Sequence, residues 1–215
     1  MAAREYGQFC GLARALEMVG ERWTLLIVRD LLSGPRRYTD LRKGLPAIPT
    51  NILSARLKQL EETGLATRRA LSHPERAVVY ELTDYGRDLE PALIALGRWG
   101  AKTMTGPRPG EMITAESVAM AFRTTYRAEA AQGTTAGFEV GMGEFTLRLQ
   151  ITDGVLTVGI GPHPAPDLIV ENLTEQGIHA LMTGAKSPDQ AIADGSVRVQ
   201  GDPALLHRFI AAFRF

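Results

Sequence analysis

Residues 50–65 read TNILSARLKQLEETGL, and this stretch decides the fold of the first half of the chain. Leu53, Leu57 and Leu60 recur at i, i+4 and i+7, so they share one face of a helix while polar side chains project elsewhere. Gly64 suits the left-handed residue that ends a helix. The pattern predicts an amphipathic helix over residues 50–63 with a polar and basic outer face, which is typical of a helix that reads DNA.

The segments around this helix predict a helix-turn-helix with a wing. Apolar periodicity predicts earlier helices over residues 9–19, 23–32 and 38–43. Pro49 suits the first position of the helix at 50–63, where no amide hydrogen is needed. The next two runs, 66–71 and 78–82, alternate with period 2 around a polar loop and predict a hairpin. Two short helices, a compact turn and a hairpin form the winged helix-turn-helix arrangement.

A longer helix is predicted over residues 84–102, with Leu89, Leu93, Leu96 and Trp99 on one face. Such an apolar face needs a partner, and a second copy of the same helix satisfies it. The sequence therefore predicts a homodimer formed largely through residues 84–102.

Charge and composition divide the chain into two domains. Residues 1–109 carry 17 Lys and Arg against 12 Asp and Glu, whereas the remainder carries 7 against 12. A basic half suits double-stranded DNA as a partner. The segment 105–110, TGPRPG, contains two prolines and two glycines, which disfavour a helix. It therefore predicts a linker between domains at 1–104 and 111–215. No apolar run approaches the roughly 20 residues that cross a bilayer, so we expect a cytoplasmic protein that does not bind membranes.

The first half resembles the HxlR-type winged-helix regulators of bacteria. The matching features include Cys10, Glu21-Arg22-Trp23, Arg36-Arg37-Tyr38, Asn51-Ile52-Leu53-Ser54, Gly64-Leu65 and Tyr80-Glu81-Leu82-Thr83. This resemblance implies a dimeric DNA-binding transcription factor without catalytic activity.

The candidate DNA-binding residues divide by expected contact. Basic side chains at helix starts, turns and strand ends are expected to contact phosphates, and residues near the front of the 50–63 helix are expected to meet base edges. We expect the wing tip to enter a minor groove. The phosphate set is Arg22, Arg36, Arg37, Lys43, Arg68 and Arg69; the helix set is Thr50, Asn51, Ser54, Arg56 and Lys58; the wing-tip set is His73 and Arg76.

Cys10 is the only cysteine, which excludes an intramolecular disulfide. The family resemblance implies that some relatives sense oxidants or electrophiles through an N-terminal cysteine. Arg14 or Arg4 could help stabilise a thiolate here. The alternative interpretation is a small apolar residue packed at the start of the first helix.

The second half predicts an antiparallel sheet covered on one side by helices. Period-2 alternation runs through residues 138–142, 145–151 and 156–160, with a hairpin turn at Asp153-Gly154 and a fourth strand at 168–170. A helix is predicted before the sheet, ending near Gly133. The fold class is therefore α+β, a winged helix-turn-helix domain followed by a sheet-plus-helices domain.

This half resembles the sterol carrier protein type 2-like domains. The resemblance rests on Leu173-Thr174, Leu181-Met182-Thr183-Gly184, the 188–193 helix and Gly195-Ser196-Val197-Arg198-Val199-Gln200-Gly201-Asp202. It implies an apolar cavity for a lipid or another hydrophobic small molecule. The alternative is a filled core that binds no ligand. The expected ligand-binding residues are Phe122, Phe138, Leu147, Leu149, Leu156, Val158, Leu168 and Met182.

We find no catalytic constellation, metal-ligand spacing or cofactor motif in the sequence, since its histidines are scattered and Gly141-Met142-Gly143 precedes no helix. The prediction is a homodimeric regulator that binds a palindromic operator and senses a hydrophobic effector. Two alternatives remain: a redox regulator acting through Cys10, and a lipid carrier or accessory protein that does not bind DNA.

Overall fold

The computed structural model describes residues 5–71, 77–104 and 107–213, which fall into two compact units. The first unit is Met1–Leu93 and the second is Ile94–Phe215. This division falls inside a helix, ahead of the predicted linker at 105–110. The second half of that helix belongs to the second unit, in which Arg98 donates hydrogen bonds to the backbone carbonyls of Thr124 and Tyr126.

The first unit contains helices and a small sheet whose strands pair in the order Arg36–Arg37 (β1), Val78–Leu82 (β3) and Ala66–Ala70 (β2). Strand β2 follows the 50–63 segment and pairs with β3 in antiparallel register, Ala66 opposite Leu82 and Arg68 opposite Tyr80. The elements are α1 Gly11–Val19, α2 Thr24–Leu32, β1 Arg36–Arg37, α3 Tyr38–Gly44, α4 Thr50–Glu62, β2 Ala66–Ala70, β3 Val78–Leu82, α5 Asp84–Arg87 and α6 Glu90–Ala101.

Leucines from α4 fill the core of this unit, as the spacing predicts. Leu53, Leu57 and Leu60 are fully buried. In α2 and α3, Ile27, Leu31 and Leu41 are also fully buried. Burying one such side chain contributes roughly 1.5–3 kcal/mol, so α4 is fixed by its apolar stripe and its opposite face stays in water.

Several boundaries differ from the sequence prediction. Phe9 and Cys10 precede α1, and Trp23 precedes α2 in a left-handed conformation (φ 81°). Pro49 caps α4 in an extended conformation instead of starting it. The predicted 84–102 helix is two helices, because Pro91 has no amide hydrogen to donate to the preceding turn.

The second unit is a five-stranded sheet with helices against it. Its strands pair in the order Val155–Ile160 (β6), Phe145–Thr152 (β5), Ala136–Met142 (β4), Leu168–Glu171 (β7) and Arg198–Gly201 (β8). The elements are α7 Ala115–Thr125, a 3-10 helix Ala128–Ala131, β4 Ala136–Met142, β5 Phe145–Thr152, β6 Val155–Ile160, β7 Leu168–Glu171, α8 Glu175–Thr183, α9 Pro188–Ala193, β8 Arg198–Gly201 and α10 Pro203–Ala212. The expected helix ending near Gly133 thus stops at Thr125, and β8 is a strand not predicted from sequence.

The sheet is mixed and not wholly antiparallel. β7 follows β6 in sequence but pairs in parallel with β4, with Phe138 opposite Leu168. The connecting segment is pinned to β4, since the Gly137 amide donates to the Asp167 carboxylate at 2.7 Å and Gly137 accepts from the Asp167 amide at 2.8 Å. Alternation along a strand does not show whether its neighbour runs parallel or antiparallel, so the sequence did not predict this pairing.

Candidate nucleic-acid interface

The outer face of α4 carries Asn51, Ser54 and Lys58, at i, i+3 and i+7, and all three are exposed. The buried leucines lie on the opposite face, so the fold holds this polar stripe outward. Lys58 also forms an ion pair with Glu62 one turn later, at 3.5 Å. Both side chains of that pair are mostly exposed, so water competes with it and Lys58 stays accessible to an anion.

The first turn of α4 is anchored by a tyrosine from α3. The Tyr38 hydroxyl donates to the Thr50 carbonyl at 3.0 Å, and the Ser54 hydroxyl donates to the same carbonyl at 3.0 Å. These bonds position the end of α4 that would enter a groove first, and they leave Asn51 as the exposed amide beside it.

Arg56 lies at the side of the helix and not on its outer face. Its guanidinium donates to Glu21 Oε2 at 2.9 Å and to Gln59 Oε1 at 2.8 Å, and its side chain is 16% exposed. Gln59 in turn donates to the Met18 carbonyl at 3.2 Å. This placement favours a structural role for Arg56, tying α4 to the end of α1, over the base-reading role expected from sequence.

The end of α4 is closed as the sequence predicts. Gly64 adopts a left-handed conformation (φ 71°), and the Leu65 amide donates back to the Leu60 carbonyl at 2.9 Å. The Thr83 hydroxyl then donates to the Gly64 carbonyl at 2.6 Å and accepts from the Gly86 amide at 3.1 Å. One side chain thereby joins the end of α4 to the exit of the hairpin.

The hairpin forms the base of a wing. Arg69 on β2 donates to both carboxylate oxygens of Glu81 on β3, at 2.9 and 3.1 Å, and these bonds hold the pKa of Glu81 below its usual value. Arg68 is exposed on the same strand. The expected wing-tip residues, His73 and Arg76, lie outside the described residues. Arg68 is therefore the better placed of the two strand arginines for a phosphate.

The remaining basic candidates differ in accessibility. Arg22 is exposed and its guanidinium lies 5.0 Å from the centre of the Trp23 ring. Lys43, at the end of α3, and Arg37, before its first turn, are exposed, whereas Arg36 is half-buried in β1. The sequence missed β1, a two-residue strand paired with β3 through Arg36 opposite Tyr80. Two residues are too few for period-2 alternation to reveal.

Cys10 is exposed and occupies the N-cap position of α1. Backbone amides of Ala13 and then Leu12 lower the pKa of its thiol. Arg14 forms an ion pair with Glu17 at 3.0 Å, and Arg4 lies outside the described residues. The amides at the start of α1, and not Arg14, lower this pKa, as at other helix N-termini.

The expected ligand-binding residues belong to the core of the second unit. Phe122 and Phe138 both pack against Phe209 of α10, with ring centres 5.8 and 5.1 Å apart, and Phe213 lies 5.2 Å from Phe122. Leu156 is half-buried against the same core. Aromatic rings of α7, β4 and α10 thus contact one another in the described core. The other residues of the expected set, all buried there, are Leu147, Leu149, Val158, Leu168 and Met182.

Among the described residues, no three or more His, Cys, Asp or Glu side chains are grouped to hold a metal ion. Likewise, no helix in the described ranges is long and apolar enough to cross a membrane.

The fold and the exposed face of α4 define a winged helix-turn-helix unit joined to a sheet-and-helix unit. Residues 18–107 match the HxlR-like helix-turn-helix family, and residues 123–214 match the SCP-2 sterol transfer family. The chain belongs to the HxlR-like helix-turn-helix family.

Its relatives carry the names of transcriptional regulators. An uncharacterized HTH-type transcriptional regulator of Mycobacterium tuberculosis is 46% identical over 98 residues, which are 46% of this chain and 60% of the relative. The regulator YvaP of Bacillus subtilis is 34% identical over 41% of this chain and 82% of its own length. A solved structure of the reduced regulator YodB from B. subtilis is 28% identical over 48% of this chain and all of that one, with a TM-score of 0.40.

Proposed function

We propose that this protein is a transcriptional regulator that binds double-stranded DNA by placing α4 in the major groove. The observation that carries the proposal is the exposed stripe of Asn51, Ser54 and Lys58 on a helix whose other face is locked by buried leucines. Amide and hydroxyl side chains on an outward helix can form hydrogen bonds to base edges. The names of the relatives support this assignment, and no catalytic role is part of it.

The exposed basic residues supply the second kind of contact. Arg22, Arg37, Lys43 and Arg68 are all exposed in the first unit. Contacts of this kind to phosphates fix register without reading sequence, and they make binding fall as salt rises. We assign these four residues to phosphates, and Thr50, exposed at the first turn of α4, to base edges.

A homodimer is the proposed binding form. Leu96 and Trp99 of α6 are 51% and 72% exposed, and in the first unit Phe9 and Leu12 are also largely exposed. Exposed apolar side chains of this size favour burial against a second copy. A two-fold dimer would present two copies of α4 to a palindromic site with half-sites about 34 Å apart. We place this assembly in the cytoplasm.

Selection of bound fragments from genomic DNA, followed by fluorescence anisotropy on the selected site and on random DNA, tests the proposal. Asn51→Ala should weaken binding to the selected site by about 1–3 kcal/mol and leave random DNA unaffected. Lys43→Gln should weaken both, and reduce the slope of log affinity against log salt by about 0.9.

Arg208→Gln on α10 is the matched control, because it removes an exposed charge from the second unit. Weak binding that does not respond to salt, or equal effects of all three substitutions, would contradict the regulator assignment.

For the second unit we propose a sensor role for a hydrophobic effector, supported by the match of residues 123–214 to the SCP-2 sterol transfer family. Val158 is buried in the described core, so an effector that entered this core would meet that side chain. Val158→Phe should then blunt the response of DNA binding to the effector. Native mass spectrometry of freshly purified protein would identify a retained molecule.

The exposed, lowered-pKa thiol of Cys10 favours a second candidate, a regulator that responds to oxidants. Cys10→Ser should leave the effector response intact if the sensor is the second unit. If Cys10→Ser lost all regulation while Val158→Phe kept the response of the parent, the protein would be a thiol-based regulator and not a sensor of a hydrophobic effector.

A further inference from the structure

A cavity of about 800 Å³ opens in the second unit, beside the C-terminal half of α6 and the turn that follows α7. This volume lies within the range of sites for small organic ligands, roughly 300–1,000 Å³. None of the residues expected to bind a hydrophobic effector lines it. The cavity is therefore distinct from the expected effector site, although Tyr126 at its wall packs against Phe213 of the core, with ring centres 5.4 Å apart.

Basic side chains dominate the ionisable groups at its wall. Arg98 and Lys102 come from α6, Arg127 from the turn after α7, and Glu129 is the one acid among the lining residues. Arg123 lines it too; it is 7% exposed and donates to the Val158 carbonyl at 2.7 Å. Such an excess of positive charge in a concave site raises the local concentration of anions.

Arg98 is held in place at the edge of the cavity. Its Nε donates to the Thr124 carbonyl at 2.7 Å and its Nη2 to the Tyr126 carbonyl at 3.1 Å. Both acceptors are uncharged, so these bonds orient the guanidinium without neutralising it. A guanidinium has five N–H donors in a fixed fork, and its remaining donors can bind a carboxylate or phosphate.

The same wall also offers apolar surface. Ile94 and Ala101 line the cavity from α6, and Ala128 lines it from the 3-10 helix. The ring of Tyr126 is fixed because its hydroxyl donates to the Gly154 carbonyl at 2.8 Å. An inorganic ion would leave this apolar surface uncovered, whereas an organic anion would cover it.

We propose that this cavity binds a small organic anion, a carboxylate or phosphate monoester with a short apolar tail. The acidic group lies against Arg98, Lys102 and Arg127, and the tail lies along Ile94 and Ala101. The proposal is independent of DNA binding, since it concerns residues of the second unit alone.

Isothermal titration calorimetry on the full chain tests the proposal, with sodium octanoate and octyl phosphate as probes. 1-Octanol supplies the tail without charge, and inorganic phosphate supplies charge without the tail. We expect both anionic probes to bind at least tenfold more tightly than either control compound, and their affinity to fall as salt is raised.

The double variant Lys102→Gln/Arg127→Gln removes two exposed charges from the wall, and we expect it to weaken octanoate at least tenfold. The matched control Arg198→Gln/Arg208→Gln removes two exposed charges elsewhere in the unit and should bind as the parent does. Circular dichroism melts verify that both double variants remain folded.

Absence of octanoate and octyl phosphate binding at millimolar concentration would overturn the proposal. So would equal binding of 1-octanol, equal binding of inorganic phosphate, or unchanged octanoate affinity in Lys102→Gln/Arg127→Gln.

Discussion

The substitution Arg56→Met tests whether Arg56 stabilises the fold or reads the bases of DNA. Methionine keeps an unbranched apolar stem but removes the guanidinium, and with it the hydrogen bonds to Glu21 at 2.9 Å and to Gln59 at 2.8 Å. Hydrogen bonds to charged groups contribute about 1.5–3 kcal/mol when both partners are buried. Two features of this site reduce that figure.

Glu21 is 42% exposed, so water can replace the lost donor. In addition, Arg56 Nε is buried and has no hydrogen-bond acceptor among the described residues, and methionine relieves that cost. We therefore expect Arg56→Met to destabilise the packing of α4 by about 1 kcal/mol. Glu21→Gln keeps an acceptor and should cost less.

Hydrogen–deuterium exchange measures this change locally. A loss of about 1 kcal/mol in opening free energy corresponds to roughly fivefold faster exchange of the amides in α4 that exchange by local opening. DNA binding should weaken to the same small extent on the selected site and on random DNA. If binding to the selected site alone lost about 1–3 kcal/mol while hydrogen–deuterium exchange in α4 stayed unchanged, the structural role would be refuted and Arg56 would be a base-reading residue.

Gly86→Ala should destabilise the first unit by about 1–3 kcal/mol in chemical unfolding, because its Cβ would lie 2.0 Å from the Leu65 carbonyl oxygen. Gly100→Ala is the matched control, with no atom within 4 Å of the added carbon, and should be neutral or stabilising; equal losses would contradict the clash. Alkylation of Cys10 by iodoacetamide should show a pH midpoint below that of a cysteine in an unfolded peptide, because thiolate forms as pH rises through a lowered pKa. Arg14→Gln should leave that midpoint in place, and a large upward shift would show that the arginine, not the backbone amides, stabilises the thiolate.

The sequence predicts those parts of the fold that periodicity and capping control. The stripe of Leu53, Leu57 and Leu60 defines the span of α4 and its inner face, and the conformation of Gly64 confirms its end. Helix boundaries that depend on single residues were less accurate. Pro91 divides the predicted 84–102 helix, although its missing amide is visible in the sequence.

Features that depend on contacts between distant segments could not be predicted. The ion pair of Arg56 with Glu21 joins residues 35 apart, and spacing on one helix carries no information about it. The parallel pairing of β7 with β4 and the packed aromatic core likewise arise from tertiary contacts. The cavity beside Arg98 also could not be predicted, because its lining residues come from α6 and from the segment after α7, and neither segment shows a binding motif in the sequence.

The helix α4 is fastened at its front by Tyr38, along its side by Arg56 and at its rear by Thr83. A helix held at three points loses its conformational entropy when the chain folds, and little remains to be lost when a partner arrives. Binding of DNA would therefore need no rearrangement of α4. Variants on its exposed face should change chiefly how long a complex lasts, with little change in how quickly it forms.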